Sequence, residues 1–282
     1  TIMIQINNLD FCYKKNKPIL SNITLALQNG RIHGLLGKNG VGKTTLLHLI
    51  AGLQFPEKGT VMVDDIEAKS RDVHFYQKMF FLNDDMPETD FTIKMYEKVN
   101  AKFYPQFSHE DFIKYLEEFE VTDLKQKISK LSFGTRKKVY IAFGLACNTT
   151  LTLLDEPTNG LDIPSKASFR KIIQYAMTDD KTMIISTHQA RDLQNILDNI
   201  ILLDETSVML NATTEEITSK LWFGIEDKVS STEKILYQED TIAGLSTVRA
   251  NYNDEESNLD VEMLFNAAFS NRELFKELFN IK

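Results

Sequence analysis

The chain has little cysteine and no excess of basic residues. Its 282 residues carry a formal net charge of -8 and include two cysteines, Cys12 and Cys147. Two cysteines this far apart do not make a disulfide framework, which predicts a reducing compartment. The charge argues against a nucleic-acid partner, because neutralising phosphates needs a concentrated basic face. The short run RKK at 136–138 is locally basic, and we interpret it as a solvated helix start.

Long hydrophobic runs are also missing. The longest uncharged run, Val139 to Leu154, is too short to span a bilayer and contains Asn148, Thr149 and Thr150. The N-terminal residues TIMIQINNLDF show no basic segment followed by an apolar core, so we expect no secretory signal in them. We therefore expect a cytosolic chain, and any role at a membrane would depend on a partner.

What is present is an ordinary globular composition with a glycine-rich loop near the N-terminus. Hydrophobic residues make up 43% of the chain and charged residues 26%. Residues 31–36, RIHGLL, predict a buried strand, GKNGVGKT follows from Gly37 to Thr44, and TLLHLIA continues with helical spacing to Gly52. The loop fits G-x-x-x-x-G-K-[ST] at every fixed position. Its strand–loop–helix context predicts a phosphate-binding site, the P-loop.

This loop has the chemistry that phosphate groups require. Glycines let backbone N–H groups approach phosphate oxygens, and the helix N-terminus adds its dipole. Lys43 is expected to neutralise the β- and γ-phosphates of a nucleotide, and Thr44 to hold Mg²⁺. The residues predicted to surround the phosphates are Gly37, Lys38, Asn39, Gly40, Val41, Gly42, Lys43, Thr44 and Thr45.

Two further buried strands are predicted downstream. LTLLDEP at 151–157 ends in a carboxylate pair, and TMIISTH at 182–188 ends in a histidine. Apolar strands that alternate with amphipathic helices indicate a parallel α/β sheet. Ligands of such sheets lie at the carboxyl ends of the strands. We therefore expect Gly37, Asp155 and His188 to converge on one nucleotide.

Two other segments differ from the strand-rich core in their pattern of apolar and charged residues. The first, about 84–135, is predicted to be a helical insertion, and its segment HEDFIKYLEEFE at 109–120 places apolar residues on one helical face. These residues are Phe112, Ile113, Leu116 and Phe119. The second, 211–282, is predicted to be a small α/β appendage with short strands in LWFGIEDKVSS and GLSTVRANY and two helices broken near Ser270. Its phenylalanines at 265, 269, 275 and 279 are interpreted as its core, with a dimer or partner surface as the alternative.

Together the motifs resemble the nucleotide-binding subunit of an ATP-binding-cassette (ABC) transporter across roughly residues 1–210. GKNGVGKT corresponds to the Walker A motif, LSFGT at 131–135 to the signature, LLDEPTNGLD to the Walker B motif with its D-loop, and STH to the switch histidine. Their order is that of the family. The resemblance implies a P-loop NTPase fold with a parallel core sheet, antiparallel N-terminal strands, a helical subdomain and the appendage.

The resemblance also implies roles for single residues. Asp155 would bind Mg²⁺ mostly through water, and Glu156 would be the base for the attacking water. His188 would contact the γ-phosphate, Asp162 would lie at the contact between two subunits, and Tyr13 would stack on adenine. With Lys43, the catalytic residues would be Glu156 and His188.

The signature departs from the family pattern at two of its five positions. Ser132 and Gly134, at a helix N-terminus, would hold the γ-phosphate of a nucleotide bound to the other subunit. Phe133 replaces a glycine whose backbone matters more than its side chain, and Thr135 lacks the reach of the usual glutamine. Exporters of the ABC-2 type often carry Ser-x-Gly-x here, so the motif resembles theirs.

A second departure lies in the Q-loop, where the family has a glutamine at the end of a strand. The segment MFFLND offers Asn83 and Asp84, of which Asp84 aligns better and would bind Mg²⁺ or water. This also resembles ABC-2 exporters of peptides, bacteriocins and toxins, including phenol-soluble modulin exporters. The resemblance implies an ATPase that dimerises around two ATP molecules with an identical or different cassette. It would drive a separate membrane permease from the cytoplasmic face.

Two other functions are compatible with a cassette. A soluble cassette ATPase of translation usually has two cassettes in one chain, and this chain has one GxxxxGK[ST] motif. The DNA-repair type has long coiled coils in its insertion, and 84–130 is too short for them. A regulatory cassette that binds ATP without turnover would not need Glu156 and His188.

Overall fold

The computed structural model describes residues 1–226 and 234–281, and it begins with an antiparallel sheet. The strands β1 (Ile2–Lys14), β2 (Lys17–Gln28), β4 (Lys58–Val63) and β5 (Ile66–Glu67) lie in the order β2-β1-β4-β5. In β2 the side chains of Ile23, Leu25 and Leu27 are buried and those between them are exposed. This alternation is what an antiparallel sheet with one solvated face requires. The prediction of antiparallel N-terminal strands is confirmed.

A second sheet forms the centre of the molecule, in the order β10-β9-β3-β8-β7-β6. Its strands are β3 (Ile32–Leu36), β6 (Met79–Leu82), β7 (Leu151–Asp155), β8 (Thr182–Thr187), β9 (Asn199–Asp204) and β10 (Ser207–Thr213). All neighbouring pairs are parallel except β9–β10. Every residue of β3, β7 and β8 is buried, because helices and the first sheet cover both faces. The predicted parallel core is confirmed.

Helices connect these strands and form the insertion. They are α1 (Lys43–Ile50), α2 (Val73–Gln77), α3 (Ile93–Asn100), α4 (His109–Glu118), α5 (Phe133–Ala146) and α6 (Ile163–Ala176). Phe112, Tyr115, Leu116 and Phe119 are buried, so Tyr115 takes the place predicted for Ile113 on the inner face. Several aromatic rings pack around Phe143 of α5: Phe80, Tyr96, Tyr104, Phe107 and Phe112. Within the described residues, no helix has the length and apolarity needed to cross a membrane.

The described residues of the C-terminal region form a third sheet and three helices. Its elements are α7 (Thr214–Lys220), β11 (Leu221–Glu226), β12 (Ile235–Thr241), β13 (Gly244–Ala250), α8 (Val261–Ser270) and α9 (Arg272–Phe279), with strand order β11-β13-β12. The break near Ser270 is where we predicted it, whereas β12 was not predicted. The part of the predicted strand at 227–231 lies outside the described residues. The expected domain boundary after 210 falls inside β10.

The C-terminal region shares a hydrophobic core with the central sheet. Leu36 and Leu202 of that sheet share one buried cluster with Leu264 and Phe275 of α8 and α9. Polar contacts add to this packing: Arg191 pairs with Glu262, Arg272 Nη1 lies 2.8 Å from Asp204 Oδ2, and Val261 N donates to Gln194 Oε1 at 3.4 Å. The third sheet and its helices are therefore held against the side of the fold that carries the phosphate loop.

Candidate nucleotide-binding site

The phosphate loop connects β3 to α1. Gly40 has φ 79° and Gly42, at the N-cap of α1, has φ 108°, both in the region that favours glycine. A Cβ at Gly40 would meet no atom within 4 Å, so the loop faces open space there. A Cβ at Gly42 would lie 3.1 Å from Leu20 Cδ2, which leaves little room on the inner side. The loop thus opens its backbone outward, as a phosphate cradle needs.

Lys43 curls back into this loop. Its Nζ donates to the carbonyl oxygens of Gly37 at 3.0 Å and Lys38 at 3.3 Å. The side chain is 6% exposed, and Nζ lies 3.5 Å from Glu156 Oε1. A buried ammonium group beside a phosphate cradle is suited to neutralise phosphate charge.

Thr44, Asp155 and Ser186 form a hydrogen-bonded group beside Lys43. Thr44 Oγ1 donates to Asp155 Oδ2 at 2.7 Å, and the Ser186 hydroxyl donates to Asp155 Oδ1. Hard oxygen ligands from a hydroxyl and a carboxylate fit Mg²⁺, which keeps several of its waters and is usually shared with substrate phosphates. Among the described residues no group of three or more His, Cys, Asp or Glu side chains could hold a metal alone.

Glu156 lies between a lysine and a histidine. Its Oε2 is 2.8 Å from His188 Nδ1 and accepts the His188 backbone N–H at 3.3 Å, while Oε1 faces Lys43. The Glu156 backbone has φ 46°, an uncommon conformation for a residue with a side chain. Its N–H donates to Ser186 Oγ at 3.1 Å and to Ser186 O at 3.2 Å. The ends of β3, β7 and β8 therefore bring together the predicted residues Lys43, Thr44, Asp155, Glu156 and His188.

Tyr13 lies at the edge of the same site. Its hydroxyl is 3.2 Å from Thr45 Oγ1, and its ring packs edge-on against Phe11 with centroids 4.9 Å apart. The side chain is 56% exposed, so a ring face is open to solvent. Stacking on adenine stays a prediction.

The signature residues lie at the N-terminus of α5. Ser132 is the N-cap, and its Oγ accepts the Thr135 N–H at 3.1 Å. A Cβ at Gly134 would lie 2.9 Å from the Gly160 carbonyl oxygen, so this glycine permits close packing of α5 on the D-loop. In the described part of the chain, no hydrogen bond joins Ser132 or Gly134 to the phosphate loop.

Asp84 follows β6 and pairs with a lysine. Its Oδ1 accepts from Lys137 Nζ at 2.8 Å, and in the described residues no hydrogen bond joins it to Thr44 or Asp155. Its role as an Mg²⁺ ligand stays a prediction. Lys137 is fully buried, so the interpretation of the RKK run as solvated is wrong for this residue. The signal that could have found it is its position beside the apolar run that begins at Val139.

These features define a P-loop nucleotide-binding protein: a glycine loop between strand and helix, with carboxylates at the end of a neighbouring strand. The sequence model of the family described as "ABC transporter" matches residues 20–159. A curated relative, the probable ABC transporter ATP-binding protein p29 of Mycoplasma pneumoniae, is 33% identical over 218 residues, which cover 72% of this chain and 89% of that protein. The chain belongs to the ATP-binding-cassette family and is an ATP-binding subunit of an ABC transporter.

Other relatives show the range of the family. The high-affinity zinc uptake system ATP-binding protein ZnuC of Bacillus subtilis is 28% identical over 211 residues, covering 72% of this chain and 91% of ZnuC. Among solved structures, a dimeric ATP-binding cassette in a post-hydrolysis state with ADP and phosphate matches with a TM-score of 0.66 at 24% identity, covering 75% of this chain and 98% of that one. The structural match shows the fold.

Proposed function

We propose that this ABC ATPase drives an exporter, with peptides, toxins or antimicrobial compounds as its cargo. The observation that supports ATP turnover is the position of the Glu156 carboxylate between Lys43 and His188. Hydrolysis of a phosphoanhydride needs a base beside the γ-phosphate and cations around it, and this arrangement supplies both.

In this proposal the phosphate loop binds ATP and Glu156 activates water. Backbone N–H groups of 37–45 and the Lys43 ammonium hold the β- and γ-phosphates, and Tyr13 stacks on the adenine. Thr44 and Asp155 would hold Mg²⁺, which would supply neutralising charge on the phosphates. Glu156 accepts a proton from a water molecule while the oxygen of that water attacks the γ-phosphorus. The bond between the γ-phosphorus and the bridging oxygen breaks, and this oxygen stays with the β-phosphate. His188 holds the carboxylate and contacts the γ-phosphate.

The second half of each site comes, we propose, from another cassette, identical or different. Ser132 and Gly134 stand at an exposed helix N-terminus, where the positive end of the helix dipole favours phosphate. Asp162, at the N-cap of α6, accepts the Ser165 N–H at 3.0 Å. Hydrogen bonds from Ser165 hold the pKa of Asp162 below its usual value, so it is ionised at neutral pH. It would align the contact between the two subunits.

A membrane permease is the proposed partner of the helical subdomain. Three large apolar side chains on and beside α3 are exposed: Phe91 by 40%, Met95 by 44% and Phe103 by 65%. Exposed apolar side chains within one short segment offer a surface to which a protein partner can bind. A permease seated there would hold the subunit at the inner face of the membrane. The export direction and the peptide cargo rest on the resemblance of the signature and of Asp84 to ABC-2 exporters.

The test determines whether the ATP-loaded subunit is bound to a membrane protein. The tagged Glu156→Gln variant, loaded with ATP and Mg²⁺, is recovered from detergent-solubilised membranes of the native cell, and co-purifying polytopic proteins are identified by mass spectrometry. A matched sample carries Phe103→Asp in addition. We expect a permease in the first sample and its loss in the second. A strain without the gene should retain more exported peptide than its parent. Recovery of soluble factors without a membrane protein would contradict the proposal.

A further inference from the structure

One buried cation joins three parts of the chain that lie around the base. Lys137, in the second turn of α5, has an exposed fraction of 0%. Its Nζ donates to Asp84 Oδ1 at 2.8 Å, to the Glu156 carbonyl oxygen at 2.8 Å and to the Asn159 carbonyl oxygen at 3.1 Å. An ammonium group has three N–H donors, and here each has an acceptor.

A buried ammonium group is an unfavourable way to stabilise a fold. Moving a charge from water into a protein interior is unfavourable, and buried ion pairs can often be replaced by apolar side chains without loss of stability. The Phe133 ring lies 5.0 Å from Nζ and covers it on one further side. The partners belong to the segment after β6 and to the segment that connects β7 to α6. A fully satisfied lysine between these segments fixes their geometry.

The Glu156 backbone needs such support. Its φ of 46° lies in a region that non-glycine residues seldom adopt and that persists only where the surrounding structure imposes it. Ser186 holds the N–H of this residue, and Lys137 holds its carbonyl oxygen. The peptide groups on both sides of the Glu156 Cα are therefore anchored, and the direction of the side chain follows from them.

We propose that Lys137 is a positioning residue for ATP hydrolysis, which keeps the Glu156 carboxylate between Lys43 and His188. The inference rests on the proposed role of Glu156 as the base. Lys137 binds the peptide group of the base, and it belongs to the same helix as the signature residue Ser132. Displacement of that helix therefore displaces an anchor of the base.

The experiment measures steady-state ATP hydrolysis by the 282-residue chain with Mg²⁺. Lys137→Met should lower kcat by roughly 10- to 100-fold, the effect of displacing a catalytic group by about 1 Å. The KM for ATP, and the Kd from calorimetry in the Glu156→Gln background, should stay within twofold, because the phosphate loop is untouched. The matched control is Lys171→Met, which removes an exposed lysine that pairs with Glu118 at 2.6 Å on the outer face. Its kcat should be that of the parent.

A second variant separates positioning from folding. Lys137→Gln keeps two N–H donors for the carbonyl oxygens but has no charge, and its kcat should lie between those of the parent and Lys137→Met. If Lys137→Met does not fold, as judged by circular dichroism, a lowered kcat with unchanged KM in Lys137→Gln supports the proposal. Parental kcat in either folded variant, or equal losses in kcat and ATP affinity, would overturn it. Parental turnover in Glu156→Gln alone would instead overturn the proposed base.

Discussion

Lys38 Nζ lies 5.0 Å from the centre of the Phe269 ring, so the phosphate loop contacts helix α8 of the C-terminal region. The ion pair between Arg191 and Glu262 joins the same helix to the segment after the switch histidine. Between them lies a cavity of about 590 Å³, lined by Lys38, His188, Gln189, Asp192, Phe265 and Asn266. The C-terminal region therefore borders the phosphate loop and the segment after His188.

This contact predicts energetic coupling between loop and appendage. Lys38→Ala and Phe269→Ala should each lower the free energy of unfolding, with a coupling of about 0.5–1 kcal/mol in the double variant, as for a cation–π pair near the surface. Urea unfolding of the four proteins measures it. Calorimetry should show an ATP affinity for Lys38→Ala within about fivefold of the parent, because an exposed charge contact contributes about 1 kcal/mol or less. If the two single-variant changes in the free energy of unfolding add up to that of the double variant, the contact does not contribute to stability.

The Glu156→Gln variant should bind ATP but turn it over roughly 10²–10⁴ times more slowly, the usual contribution of a positioned base. Because bound ATP then persists, size-exclusion chromatography with ATP and Mg²⁺ should show a trapped dimer. Glu118→Gln, a carboxylate on the outer surface, serves as the control and should keep parental turnover. Near-normal hydrolysis by Glu156→Gln would place the base elsewhere.

Lys43→Ala should abolish tight nucleotide binding, because the buried ammonium group that faces the cradle is lost. Isothermal calorimetry with ATP and Mg²⁺ measures this directly. Lys38→Ala is the matched control, since it removes the other lysine of the same loop, which points to Phe269. Retained micromolar affinity in Lys43→Ala would be incompatible with the phosphate-loop assignment.

Much of the site was predictable because it depends on local pattern. The loop 37–44 has fixed spacing, and Asp155 and His188 each follow a continuous apolar strand. Parallel strands bring such ends to one edge of a sheet, so the residues meet whatever the intervening chain does. The helix break near Ser270 was likewise visible in the spacing of apolar residues.

What was missed depends on tertiary contacts. The sequence predicts Lys137 to be a solvated surface residue, since a run of three basic residues is normally exposed. Its burial follows from how α5 packs on the D-loop. The contact of Phe269 with Lys38 joins residues far apart in the chain, and its ring has the same local pattern as a core residue. The short strand β12 is mostly exposed, so it lacks the apolar alternation that identifies a strand.

Truncation after Thr213, which keeps β10 whole, should retain binding of a fluorescent ATP analogue. Each residue proposed to face the phosphates precedes this point. The thermal midpoint should fall, because the buried cluster that includes Leu36 and Leu202 loses its members from α8 and α9. A folded truncated chain that does not bind the analogue would show that the C-terminal region belongs to the nucleotide site.

The last prediction concerns the signature, and the structure decides which residue tests it. Gly134 is unsuitable, because any Cβ there would lie 2.9 Å from the Gly160 carbonyl oxygen and would disturb the D-loop within the same subunit. Ser132 is exposed and caps α5 through the Thr135 N–H. Asp and Asn are both good N-caps, so Ser132→Asp and Ser132→Asn should fold alike and differ in one negative charge.

If Ser132 faces the γ-phosphate held by another subunit, that charge opposes it. Two like charges about 4 Å apart repel by about 4 kcal/mol at an effective dielectric constant of about 20. Ser132→Asp should therefore lose ATP-dependent dimerisation and turnover, whereas Ser132→Asn should still dimerise. Both should bind ATP as monomers with parental affinity, because the phosphate loop and Tyr13 belong to the other half of the site. Size-exclusion chromatography in the Glu156→Gln background, with calorimetry alongside, measures both quantities. Equal dimerisation of the Asp and Asn variants would show that LSFGT does not contact the nucleotide bound to the other subunit.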